Sequence, residues 1–154
     1  MPKIDLKTNE RMAKVVLHSI PDRPGIAAEI FSAMGEQGIG VELMSSVATG
    51  RNKGDVSFAV LETDLKQVGP ILEDLKRKLG AKKTATVADV SLISLYGEGL
   101  STDPGLSSRV FKALAGQGIN LQMISQSVNA LSFLVERSTL ERAVTLLKAT
   151  GEVE

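Results

Sequence analysis

The chain has no cysteine and no tryptophan, and only one tyrosine and one histidine among its 154 residues. Each absence closes a class of chemistry. Without cysteine there is no disulfide framework, no thiolate nucleophile and no cysteine metal site. The single histidine, His18, falls in a β-branched apolar run, where a packed or solvent-facing ring is the ordinary reading and a metal ligand the exceptional one. Eighteen basic and eighteen acidic residues cancel to a formal net charge of zero, against the basic excess that nucleic acid or an anionic membrane would favour. No apolar run approaches the ~20 residues that span a bilayer, and the opening MPKIDLKTNER has no secretory apolar core, so a cytoplasmic protein with no membrane partner is expected. There is no phosphate loop, and the glycines of Tyr96-Gly97-Glu98-Gly99 lack the third glycine of a dinucleotide fingerprint. Carboxylates are scattered without the context of an acid–base dyad. Neither a cofactor, a metal site nor a catalytic residue is predicted.

What is present is a repeat. Residues 24–45 (PGIAAEIFSAMGEQGIGVELMS) and 104–125 (PGLSSRVFKALAGQGINLQMIS) align without a gap at an offset of 80. Pro24/Pro104, Gly25/Gly105, Phe31/Phe111, Gln37/Gln117, Gly38/Gly118 and Ile39/Ile119 are among the identical pairs. One supersecondary unit is therefore used twice. Further on, SFAV (57–60) matches SFLV (132–135) at an offset of 75, so the hairpin before it is five residues shorter in the second copy. Phe31/Phe111 and Phe58/Phe133 occupy equivalent places in the two copies and read as core.

In the first copy Val15–Ile20 predicts a strand, and Pro24 suits the opening of a helix whose apolar residues Ile26, Ile30 and Met34 recur at helical spacing until Gly38. Strands follow at about 41–48 and 55–61, with a loop over Gly50–Gly54 between them. A longer helix over Leu65–Leu79 is expected to be interrupted near Gly69-Pro70, and a strand at 83–88 closes the unit. The second copy predicts a strand at 90–96, a turn over 101–105, a helix at 104–117, strands at 121–127 and 130–135, and a helix at 139–149. Each copy thus reads strand–helix–strand–strand–helix, an α+β ferredoxin-like order once a last strand is added. The second copy has no such strand of its own, and Lys3–Lys7, alternating polar and apolar, could supply it. That places a first unit at 10–88 inside a second unit made of 1–9 and 89–154. The basic cluster Lys76-Arg77-Lys78 with Lys82-Lys83 is diluted by Glu73 and Asp74 and reads as a solvated helix end.

The chemistry gathers at the turn before each first helix. Backbone N–H groups of Gly25, Ile26 and Ala27 open a helix without internal partners, and with the helix dipole they suit a carboxylate. Asp22 beside them could accept an ammonium group, which together outlines a free α-amino acid. Aspartate is also a common helix cap, and on this turn alone the cap is the favoured reading.

The stretch IPDRPGIAAEIF…GIGVELMSSV, then DVSFAV, then VSLISLYGEGLSTDPGLSSRVFKALAGQGINLQMIS, resembles the tandem ACT domains of aspartate kinases over nearly the whole chain. The resemblance implies an amino-acid-binding allosteric module without catalytic activity, which inhibits a kinase when lysine or threonine binds. It implies the inserted topology, a homodimer whose units pair edge to edge, or a heteromer with a catalytic kinase subunit, and an effector held between the first unit of one chain and the second of the other. The implied contacts are Asp22, Gly25, Ile26, Ala27 and Ser46 from the first unit and Ser107, Asn120 and Leu121 from the second. Aspartate kinases commonly carry Gln-Asn where this chain has Ser46-Val47, and often a histidine where it has Asp103. The amino-kinase domain is not in this sequence, which suggests a regulatory fragment, a separate regulatory subunit or a free-standing ACT protein. Alternatives are a nucleic-acid-binding ferredoxin-like module, a small acyl-phosphate hydrolase using Arg23 with Asn120, and a dimerisation unit without a ligand.

Overall fold

The computed structural model describes residues 4–154. Two compact units divide it: a central unit, Met12–Ala88, and a flanking unit made of the residues up to Arg11 with Asp89–Glu154.

In the central unit, the second part of β1 (Asp5–Pro21) leads to α1 (Ile26–Gly35), β2 (Glu42–Gly50), β3 (Lys53–Leu61), α2 (Leu65–Leu79) and the first part of β4 (Lys83–Tyr96). The strands lie in the order β2-β3-β1-β4, with β3 antiparallel to both neighbours. Alternation along β3 buries Val56, Phe58 and Val60, and α1 and α2 lay Ile26, Ile30, Met34 and Val68, Leu72, Leu75, Leu79 over that face. In the flanking unit, β4 is followed by α3 (Gly99–Thr102), α4 (Leu106–Gly116), β5 (Met123–Gln126), β6 (Ala130–Glu136) and α5 (Leu140–Ala149). The order here is β5-β6-β4-β1, and Leu95, Leu114, Leu131, Phe133 and Leu147 are fully buried. Each unit is ferredoxin-like, with two long helices over its sheet.

Several elements differ from expectation for identifiable reasons. The segment beginning near Ile4 and the strand at Val15 are parts of one strand, β1, and 83–88 and 90–96 are likewise one strand, β4. Lys3 lies outside the described residues. The closing residues are not idle: Ile4 and Val153 form a parallel bridge, with Leu6 N–H donating to the Glu154 carbonyl at 3.2 Å. The hairpin between β2 and β3 is a two-residue turn, Arg51-Asn52, both at positive φ, the mirror-image turn that matches strand twist. Phe31 is 44% exposed although Phe111 packs its ring edge-on against Phe133 at 6.1 Å. Ile26, Ile30 and Met34 hold the buried face of α1, and Phe31 sits about 100° around the helix from Ile30.

Helix α2 runs unbroken through Pro70. Pro70 is exposed, Gly69 before it crowds nothing within 4 Å, and the buried face around the kink-prone site is complete, so packing outweighs one missing hydrogen bond. The Lys66 carbonyl nevertheless loses its ordinary partner. Pro70→Ala is therefore expected to raise unfolding free energy by about 1–2 kcal/mol, less than the full interior proline cost because the unfolded chain gains freedom. Urea titration of the two proteins checks it; an unchanged midpoint refutes it.

Candidate ligand site

The site is built where β1 hands over to α1. Ile20, Pro21, Asp22 and Arg23 leave the strand, Ile26 and Ala27 open the helix, and Met44, Ser46, Gly54 and Val56 rise from β2 and β3 around a concavity of about 200 Å³. The β2–β3 turn reaches this point: the Asp22 N–H donates to the Asn52 carbonyl at 2.8 Å, fixing the backbone from which the carboxylate projects.

Gly25 is the residue before the helix, at φ +95°, a conformation that side-chain-bearing residues rarely adopt. No side chain caps α1, and among the described residues no donor reaches the exposed Asp22 carboxylate. The Ile26 N–H turns back to the Arg23 carbonyl at 3.4 Å. The amides of Ala27 and Ala28 are left at the positive end of the helix dipole without intrahelical acceptors. Arg23 points along the helix to Glu29 at 3.3 Å, so its charge is spent on that exposed pair.

The equivalent place in the flanking unit is arranged differently. Positions 103 and 109 match 23 and 29 in the repeat, but the signs are reversed: Asp103 accepts from Arg109, and Arg109 also donates to Glu152. Asp103 has a second partner, the Gly105 N–H at 3.1 Å. The Arg109 hydrogen bond, then the Gly105 amide, hold the Asp103 carboxyl below the usual aspartate range. Glu152 first and Asp103 second raise the Arg109 guanidinium. Gly105 is at an ordinary φ of −81°, and a Cβ there would stand 2.9 Å from the movable end of the Arg109 side chain. Of the two repeated glycines, only Gly25 occupies a left-handed turn.

Of the residues singled out from the sequence, Asp22, Ile26, Ala27 and Ser46 line the one concavity, and Gly25 sets the turn into it. Ser107, Asn120 and Leu121 belong to the flanking unit, where the Ser107 hydroxyl donates to Gln126 Oε1 at 3.1 Å and Asn120 is exposed. His18 is paired: its Nδ1 lies 3.3 Å from Asp55 Oδ2. Asp55 escaped notice because its partners are 36 and 37 residues away and only strand register brings them together. Among the described residues no group of three or more histidine, aspartate or glutamate side chains is placed to hold a metal ion.

Two ferredoxin-like units in tandem, one with an open acid beside an uncapped helix, define the class as a tandem ferredoxin-like module. The chain belongs to the ACT-domain family: models of the ACT domain match residues 15–80 and 93–150. Similar solved structures include the ligand-free regulatory subunit of aspartate kinase from Thermus thermophilus, 27% identical with a TM-score of 0.84, covering 94% of this chain and 95% of that one. The regulatory subunit of aspartate kinase from Thermus flavus is 27% identical with a TM-score of 0.83, covering 96% and 97%. The aspartate kinase Ask_LysC of Stutzerimonas stutzeri is 30% identical over 146 residues, 95% of this chain. The chain spans about a third, 35%, of that relative's length. Its two ACT domains are thus similar to aspartate kinase regulatory subunits. No helix among the described residues is long and apolar enough to cross a membrane.

Proposed function

We propose that the chain is the amino-acid-sensing regulatory module of an aspartate kinase, and that its effector binds in the central unit against Asp22 and the start of α1. One observation carries this reading: an unpartnered carboxylate, the opening of the uncapped helix at Ile26 and Ala27, and the Ser46 strand line a single concavity. Asp22 accepts the ligand's ammonium group, and the helix start at Ala27 takes its carboxylate. The effector shifts the attached kinase only as far as it binds one arrangement of the assembly better than another, typically ~1–3 kcal/mol.

Charge counting selects between the two effectors the family resemblance suggests. Lysine brings two ammonium groups, but the concavity is lined by one acid, Asp22, and by the already paired Arg23. Its other walls are aliphatic, Ile20, Ile26, Met44 and Val56, and among the described residues the Ser46 hydroxyl is the only neutral polar side chain lining it. Threonine leaves no charge unmatched and offers a hydroxyl to Ser46; a second ammonium would be desolvated without a partner.

The edge strands β2 and β5, with Val47 and Ile124 more than half exposed, suit pairing with a second copy of the chain. In such a homodimer, Ser107, Asn120 and Leu121 of the partner's flanking unit would complete the effector's surroundings. A catalytic kinase subunit is the partner that receives the signal.

Calorimetry of the purified chain against threonine, lysine and methionine tests the proposal. Threonine is expected to bind, with lysine weaker by about tenfold or more, the cost of one unpaired charge. No heat and no thermal shift with any amino acid would remove the sensing function, and lysine binding tighter than threonine would remove the selectivity.

A further inference from the structure

Strand β1 does not run evenly into the site. Leu17 pairs with Val56 on β3, and Ile20 with Gly54, so His18 and Ser19 together face Asp55 alone. This is a β-bulge, and Ser19 sits in it at φ +54°, a left-handed conformation unusual for a side-chain-bearing residue. The Asp55 carboxylate closes the bulge from the opposite strand. Its Oδ1 accepts the Ser19 N–H at 2.9 Å, and its Oδ2 lies 3.3 Å from His18 Nδ1. The Ser19 amide, ahead of His18 and Lys83, holds this carboxyl below its usual range.

The extra residue reverses which side of the strand each later side chain takes. Ala13, Val15 and Leu17 face the core, and strict alternation would send Ser19 there next. With the bulge it is Ile20 that is buried, and the chain leaves the strand through Pro21 into Asp22, all three lining the concavity.

The second copy shows that the fold does not need this device. There β4 pairs with β6 in unbroken register from Val90↔Glu136 to Tyr96↔Ala130, and Ala130 stands where the first copy has Asp55. The chain then enters the short helix α3, whose Leu100, aligned with Ile20 at the offset of 80, is buried. A ferredoxin-like unit forms either way, and the bulge with its acid belongs to the unit that carries the open site.

We propose that Asp55 is a positioning residue for ligand binding: it closes the His18–Ser19 bulge and thereby aims Asp22 into the central concavity. The proposal rests on the reading of Asp22 as the ammonium acceptor, and it extends the site to a residue that touches no ligand.

Three variants test it, Asp55→Ala, Asp55→Asn and the double variant Asp55→Ala with Ser19→Gly, each read by threonine calorimetry and by amide exchange at Ser19–Asp22. Asp55→Ala is expected to weaken binding by about tenfold or more, since a charge-assisted hydrogen bond to the strained amide is lost. Asp55→Asn keeps a carbonyl acceptor for Ser19 and is expected to stay within about threefold of the parent. Glycine occupies a positive φ without a tether, so adding Ser19→Gly to Asp55→Ala is expected to recover much of the lost affinity. Binding within about twofold of the parent in Asp55→Ala overturns the proposal, since it leaves no hydrogen bond's worth of effect. Equal losses in the alanine and asparagine variants without glycine rescue also overturn it, because charge alone would then be responsible. Should the parent chain bind no amino acid, the sensing function falls by itself and exchange decides this inference: faster exchange at Ser19–Asp22 in Asp55→Ala, slowed again by Ser19→Gly, supports it, and unchanged exchange overturns it.

Discussion

Asp22→Ala is expected to weaken threonine binding by about tenfold to a hundredfold, the span of a charge-assisted hydrogen bond worth ~1.5–3 kcal/mol. The size follows from the site's composition. Among the described residues Asp22 is the only acid lining the concavity, and Arg23 is turned away to Glu29, so no second carboxylate lines it to replace the lost acceptor. Unfolding free energy should change by less than about 0.5 kcal/mol, because the carboxylate is exposed and caps no helix. That combination distinguishes a ligand contact from a helix cap, whose removal costs about 0.5–2 kcal/mol of stability. Calorimetry with threonine and a urea titration of the same variant decide it. Retained binding, or a loss of stability beyond the cap range, counts against the site.

The largest stability effect is expected at Phe58. Its side chain is fully buried, it pairs with Val15 across the sheet, and α1 and α2 close over it. Phe58→Ala is expected to cost about 3–5 kcal/mol, a large part of the ~5–15 kcal/mol that holds a typical domain together. Because the concavity belongs to the same unit, threonine binding should be lost together with the central unit's folded signal in a denaturant titration. A cost below about 1 kcal/mol would mean that the core relaxes around the missing ring and would refute the packing described.

The order of elements was readable because it is written twice. Apolar spacing in Ile26, Ile30 and Met34 recurs in Leu106, Val110 and Leu114, and all six are buried. What stayed hidden depends on contacts between distant residues. The bulge at His18–Ser19 is decided by Asp55 across the sheet, and no local pattern announces it. Phe31 departs from expectation for the opposite reason: identity with Phe111 suggests a shared core role, yet Phe31 is exposed while Phe111 packs against Phe133. The aspartates before the two helices, Asp22 and Asp103, differ in partners that lie outside the turn. Arg109, itself shared with Glu152, engages Asp103, while Arg23, the counterpart of Asp103 in the repeat, binds Glu29 and leaves the neighbouring Asp22 open.

The Ser91 hydroxyl donates to the Glu10 carbonyl at 2.6 Å across 81 positions of chain. On a ribosome, the segment around Glu10 emerges long before its strand partner exists. Joining two such ends through a slack loop of that length costs roughly 4 kcal/mol in chain entropy. Met12–Ala88 has an apolar core of its own, and its first and last residues continue directly into the strands that carry Glu10 and Ser91. Once that stretch has condensed, the waiting segment is delivered beside its mate, and the final clasp between Ile4 and Val153 closes over a much shorter effective tether.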